Sequence, residues 1–327
     1  MRNKSKILML GLVVSLEMVG CGSAGVSTNE SSPVDKKIVI AYQHGMAYAP
    51  LNIMDKQELF EKYLPDVEIE LKELGSGSAM NEGIISGDVD IAMMGVAPYL
   101  IGWDKGVPYK IYSAISHQPS GLVTYDSEIT SLVDFTKEDK IALPSYGSIQ
   151  HILLAMAAEK ELGDMHAFDE QLINMKHPEG MQTLMTKQEV KGHFTTSPIL
   201  NKELEIEGYH QVVSGVEAFG GDFTFAVGVA ANDFYNNYPE LYDGLVQATN
   251  EAMEFINENP EKTAEILAEV EGVTPEIMLT YLQADGVDYT SEPCGILEMA
   301  QFMQRGEFIS KVPTSMDELV FDNDSLK

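Results

Sequence analysis

Seven histidines and two cysteines, set among fifty-one carboxylates, are the side chains of this 327-residue chain best suited to chemistry. The histidines are His44, His117, His151, His166, His177, His193 and His210, and no two stand two or four positions apart. Neither a strand nor a helix therefore presents a pair to a metal, and a motif such as HExxH is absent. No GxSxG nucleophile elbow occurs. Cys21 and Cys294 are too few for a cysteine-built metal site. Carboxylates are so abundant that no pair stands out. Residue types and spacing thus give catalysis no support and imply no metal or cofactor.

What remains is a recurring placement of small polar residues. The stretch LGSGSAMNEGIISGDVDIAMMGVAP, residues 74–98, opens a short helix with two Gly-Ser pairs. It is not a nucleotide loop. A phosphate loop of the GxxxxGK[ST] type needs its lysine and hydroxyl, and a dinucleotide fingerprint needs a third glycine where Met80 stands. Gln43-His44, Ser76 and Ser78, Gly95, Ser145 and Ser148, and Thr195-Thr196 each follow the end of an expected strand. Ligands of open α/β sheets bind outside the carboxyl ends of the strands. Helix N-termini there offer unpaired N–H groups and the positive end of a dipole. For any one of these residues helix capping is the commoner role; their recurrence in both halves of the chain points to binding.

The elements that must position them follow from periodicity. Ile38–Tyr42 reads as a buried strand, and Val67–Leu71 alternates as a half-buried one. Ser78 caps a helix carrying Met80, Ile84 and Ile85, which Ser86-Gly87 ends before a strand over Ile91–Met94. Strands follow at Lys110–Ala114 and Gly121–Tyr125. Lys140–Leu143, a loop at 144–148 and a helix from Ile149 repeat the design. A strand over Val190–Phe194 then leads to Thr195–Pro198, a loose echo of Gly95–Pro98. Strand–helix–strand order implies parallel pairing and an α/β fold in two like lobes. One more strand is expected from Phe223, and after it Pro239, Pro260 and Pro275 each mark the first turn of a packing helix.

The N-terminus reads separately. Arg2, Lys4 and Lys6 precede an apolar run over residues 7–19, too short to span a bilayer, as in a secretory signal peptide of residues 1–20. Met18-Val19-Gly20-Cys21 resembles a lipobox with Cys21 as the lipidated residue. Glu17 and Met18 depart from that pattern, and an ordinary signal peptide cut elsewhere is the alternative. Residues 21–36, small and polar, read as a tether. With Cys21 acylated, Cys294 has no partner, and about 290 residues can build a core without disulfides. A net charge of −30 excludes nucleic acid as a partner and adhesion to anionic lipid. Beyond residue 20 the sole arginine is Arg305, so a bidentate guanidinium clamp on the ligand is not expected.

GSGSAMNEGIISGDVDIAMMGVAPYLIGWDKGVPYKIYSAIS resembles the central segment of nitrate/sulfonate/taurine-type substrate-binding proteins of ABC importers. That superfamily is shared with thiamine-pyrimidine-binding proteins. The resemblance extends through DKIALPSYGSIQHILL, GHFTTSPI, FTFAVGVAANDFYNNYPELY and KVPTSMDELVF. It implies a type II periplasmic-binding-protein fold, two α/β lobes joined by two hinge crossings near 125–127 and 222–225. Lobe 1 is then 37–127 plus 224–327, and lobe 2 is 128–223. The implied ligand residues are Gln43, His44, Ser76, Ser78, Gly95, Ser145, Ser148, Thr195 and Thr196, with Glu217 beside the return crossing. Tyr42, Tyr48, Tyr146 and Phe219 lie near the same loops. The implied activity is capture of a small polar organic solute, of sulfonate, taurine or nitrate type by family, and its delivery to an ABC permease and ATPase. The body is expected to be a monomer, attached to the membrane through its lipid only. Pyrimidine binding, an enzyme of thiamine-pyrimidine synthesis and a sensor domain are the alternatives. The cysteine-rich segment of the enzyme is missing.

Overall fold

The computed structural model describes residues 36–321; the signal-peptide segment and Cys21 lie outside them. The chain enters through β1 (Lys36–Tyr42), α1 (Ala49–Lys56), α2 (Leu59–Tyr63) and β2 (Val67–Glu73). It continues through α3 (Gly77–Ser86), β3 (Ile91–Gly95), α4 (Val96–Asp104) and β4 (Tyr109–Ser116). The second lobe begins with β5 (Ser120–Thr124), β6 (Ile141–Leu143), α5 (Ile149–Leu162), β7 (Leu172–Asn174) and α6 (His177–Thr186). It ends with β8 (Gly192–Thr196), α7 (Ile199–Leu204), β9 (His210–Ser214) and α8 (Gly215–Phe219). β10 (Ala226–Ala231) returns to the first lobe, followed by α9 (Asn232–Asn237), α10 (Pro239–Glu258), α11 (Pro260–Glu271), α12 (Pro275–Leu282) and α13 (Ile296–Arg305).

Two five-stranded sheets share one plan, with orders β2-β1-β3-β10-β4 and β7-β6-β8-β5-β9. In each, four of the five strands run in one direction, three of them side by side, as the parallel pairs Ile38↔Ile69 and Leu143↔Asn174 show. One antiparallel strand is then inserted beside them. β10 pairs Val227 with Met94, and β5 pairs Ser120 with Thr196. Each lobe thus takes its antiparallel strand from the far side of a crossing. Central strands are apolar throughout because both faces are covered: β3 and the first five residues of β10 are buried without a break. The edge strand β2 keeps its alternating charges half in water.

The first crossing is His117–Pro119, between β4 and β5. The expected position at 125–127 is therefore too late, and residues 120–127 belong with the second lobe. Gly121–Tyr125 has the composition of a strand, but only its pairing with β8 and β9 tells which sheet receives it. The return passes through residues 220–225, so β10 starts three residues after Phe223. β7 and β9 were not anticipated, and Thr195 and Thr196 close β8 rather than lying in a loop. Pro239, Pro260 and Pro275 are the first residues of α10, α11 and α12, as their sequence positions predict.

Candidate ligand-binding cleft

The N-termini of four helices, two from each lobe, converge between the sheets. Gly77 is the first residue of α3, and Gly95 closes β3 and caps α4. Across the cleft, Ser148 caps α5 and His177 opens α6. A small cavity lies among them, about 10 Å³ in volume, room for about one water. From the first lobe it is lined by Gln43, His44, Tyr48, Gly77, Gly95 and Pro98, and by Phe225 at the return crossing. The second lobe supplies Ser148, Ile149, Gln150, His177 and Thr196. A wider cavity of about 190 Å³ shares Gln43, His44 and His177 and adds Glu73, Lys176 and Glu179. No carboxylate, lysine or arginine lines the inner cavity. Each helix end there carries roughly half a positive charge on its unpaired amides, so the inner site favours a negative group although the chain as a whole is acidic.

Local chemistry decides how each side chain is presented. Ser148 Oγ accepts from the amide of His151 at 3.3 Å, which leaves its own O–H free to donate. Thr196 gives its hydroxyl proton to the Pro119 carbonyl at 2.8 Å and can only accept from a ligand. Gln43 is loosely held, with contacts of 3.4 Å to the Tyr48 hydroxyl and 3.5 Å to the Gly75 carbonyl. Gly77 is needed for close approach: a Cβ there would lie within 2.5 Å of both Cβ and Cγ of Pro98.

Two histidines of opposite character face the cavity. Nε2 of His44 lies 3.2 Å from Oε2 of Glu271, and this carboxylate holds the imidazole above its usual range against the opposing cost of burial. Burial pushes His177 well below that range, with His193 and His44 adding repulsion. His177 is thus neutral. The Gln150 amide nitrogen is 3.2 Å from its Nε2, which places the ring proton on Nδ1, 3.0 Å from Thr195 Oγ1.

The cavity therefore gathers Gln43, His44, Gly95, Ser148 and Thr196. Other expected residues have different positions. Ser76, not Ser78, caps α3, its Oγ accepting from the Ala79 amide at 3.3 Å. Ser78 lines a separate cavity of about 470 Å³ with Asn81, Tyr146 and His151. Ser145 is buried with no partner for its hydroxyl, and Thr195 reaches the site only through His177. Glu217 faces elsewhere: it forms a capping box with Ser214 at the start of α8. His177 is not marked by the sequence reading, whereas Gln150 lies at the end of the Ser145–Gln150 stretch expected at a strand's end. The His-Pro pair at 177–178 is a helix-start signal that could have marked the former.

The lobes are closed on one another. The Met46 amide donates to the Ser197 carbonyl at 3.2 Å, and Tyr281 donates to Glu205 at 2.8 Å. Arg305 bridges to Glu159 at 3.2 Å on the exposed surface, away from the cavity. Among the described residues, no group of three or more histidine, cysteine or acidic side chains could hold a metal, and no helix is long and apolar enough to cross a membrane.

Two sheets of one plan, exchanging a strand through paired crossings and enclosing a polar cleft, define a periplasmic-binding-protein fold. Residues 31–270 match the NMT1-like family, and the chain belongs to it. The taurine-binding periplasmic protein of Escherichia coli strain K12 is 22% identical over 302 residues, covering 86% of this chain and 91% of that protein. The crystal structure of the periplasmic aliphatic sulphonate binding protein SsuA from Escherichia coli matches with a TM-score of 0.67 at 17% identity, over 89% of this chain and 94% of its own. The periplasmic nitrate-binding protein NrtA from Synechocystis PCC 6803 also gives 0.67 at 17% identity, over 86% and 84%.

Proposed function

We propose that this chain is the extracytoplasmic solute-binding component of an ABC importer, and that its solute is a small organic anion of the sulfonate or taurine class. One observation carries the reading: four helix N-termini, two from each lobe, meet a positively biased His44 at a cavity with no carboxylate in its lining. Such a site holds an anion through amides and hydroxyls without a guanidinium. The relatives bind taurine, aliphatic sulphonates and nitrate by name, which supports the same chemistry here. Closing lobes bury the solute, and the closed form is what the permease and its ATPase would receive. Cys21 is the proposed lipid attachment, placing a monomeric binding body outside the cytoplasmic membrane, with capture rather than turnover as its task.

Mass spectrometry of the natively purified protein tests this reading. A co-purified ion carrying a sulfonate or similar acid group is expected. A bound solute lacking any acid group, or conversion of the bound molecule, would refute it.

A further inference from the structure

Glu271 ends α11, and its carboxylate is only 5% exposed. Oε2 lies 3.2 Å from Nε2 of His44, which lines the ligand cavity, and 3.6 Å from Nζ of Lys202 on α7 of the opposite lobe. Lys202 also donates to the Glu271 backbone carbonyl at 3.0 Å, at the negative end of the α11 dipole. Oε2 is buried and meets no donor in hydrogen-bond alignment. A desolvated carboxylate oxygen of this kind is costly unless positive charge compensates it. Here the two cations come from the two sides of the cleft.

We propose that Glu271 is a positioning residue that holds the His44 imidazolium at the solute cavity and, by docking Lys202 of the second lobe, links anion capture to lobe closure. The inference rests on the anion-binding reading above for its ligand. His44 faces Glu271 from α11, Glu73 from β2, Lys202 from α7, His177 and Glu179 from α6, and Lys176 at the N-cap of α6. Glu271 and Glu73 favour its charged form, whereas Lys202 and burial oppose it. Because its folded pKa is raised, the charge on His44 is present at low pH and lost as pH rises through that value, and anion affinity follows it down. With Glu271→Gln, burial and Lys202 have less to oppose them, so the loss begins at lower pH.

The test combines NMR titration of the His44 ring in the ligand-free protein with calorimetry of taurine and ethanesulfonate between pH 6 and 9. In Glu271→Gln the His44 midpoint should fall and sulfonate affinity near neutral pH should drop about tenfold, as expected for loss of one charge-assisted contact. Lys202→Met should weaken affinity about threefold without lowering the His44 midpoint. In a His44→Gln background, Glu271→Gln should cost no more than the about threefold that Lys202 docking contributes. An unmoved His44 midpoint, or an undiminished loss in that background, overturns the inference. If neither sulfonate binds the wild type at any pH, the ligand class fails, and the ring titration still decides whether Glu271 governs His44. Thermal unfolding confirms that each variant is folded.

Discussion

Thr195 Oγ1 lies 3.0 Å from Nδ1 of His177, so a residue expected at the ligand loops instead orients the ring that lines the cavity. The Gln150 amide nitrogen on the other ring nitrogen makes His177 a neutral, oriented wall of the cleft. Folded, His177 takes up a proton only well below its usual range, because it is buried. Unfolded, it does so near pH ~6.5. Below that value the unfolded chain binds the extra proton, so stability falls as pH falls. His177→Asn should flatten the decline in thermal midpoint between pH 7 and 5. An unchanged slope would show that His177 is not the group responsible.

The helix that opens the Gly-Ser-Gly-Ser stretch separates capping from binding. Ser76→Ala removes the α3 cap and should cost about 1 kcal/mol in urea unfolding. Ser78→Ala removes no cap and should leave stability within about 0.5 kcal/mol. Equal losses would mean that the cap is wrongly placed.

Gly77 tests how tightly α3 and α4 must approach. An alanine methyl there meets the Pro98 ring and should destabilise the protein by about 1–3 kcal/mol. Because Gly77 also lines the inner cavity, the shift of either helix should weaken solute binding. Normal stability with normal affinity would show that the ring has room to move.

Ser148 serves two masters, the α5 cap and the cavity. Ser148→Asp keeps a good capping oxygen but puts a carboxylate into the site. The unfolding midpoint should hold while sulfonate affinity falls more than about tenfold, the effect of one repulsive contact of roughly 1.4 kcal/mol. Tighter binding in this variant would indicate a cationic solute.

Much of this architecture is legible along the chain, and the gaps have physical causes. Ile38–Tyr42 and Ile91–Met94 are read as strands because continuous apolar runs mark strands covered on both faces. Leu172–Asn174 spans three residues, too few for any period to register, and His210–Ser214 is largely half-buried and mixed in polarity. The sheet to which Gly121 and its neighbours belong is a tertiary choice, made by pairing Ser120 with Thr196. Ser78 reads as the cap in place of Ser76 because nothing local reveals that Gly77 must pack against Pro98. His177 escaped notice because burial, which makes it neutral, comes from residues distant in sequence. Glu271 lies still further from His44, 227 positions along the chain.

The central claim is that two closing lobes capture an organic anion. Calorimetric titration of the purified protein with taurine, ethanesulfonate and nitrate, against spermidine and choline as cationic controls, tests it most directly. Saturable heats for taurine or ethanesulfonate, with none for the cations, are the predicted result. Binding confined to the cations or to nitrate, or heat from neither sulfonate, would contradict it.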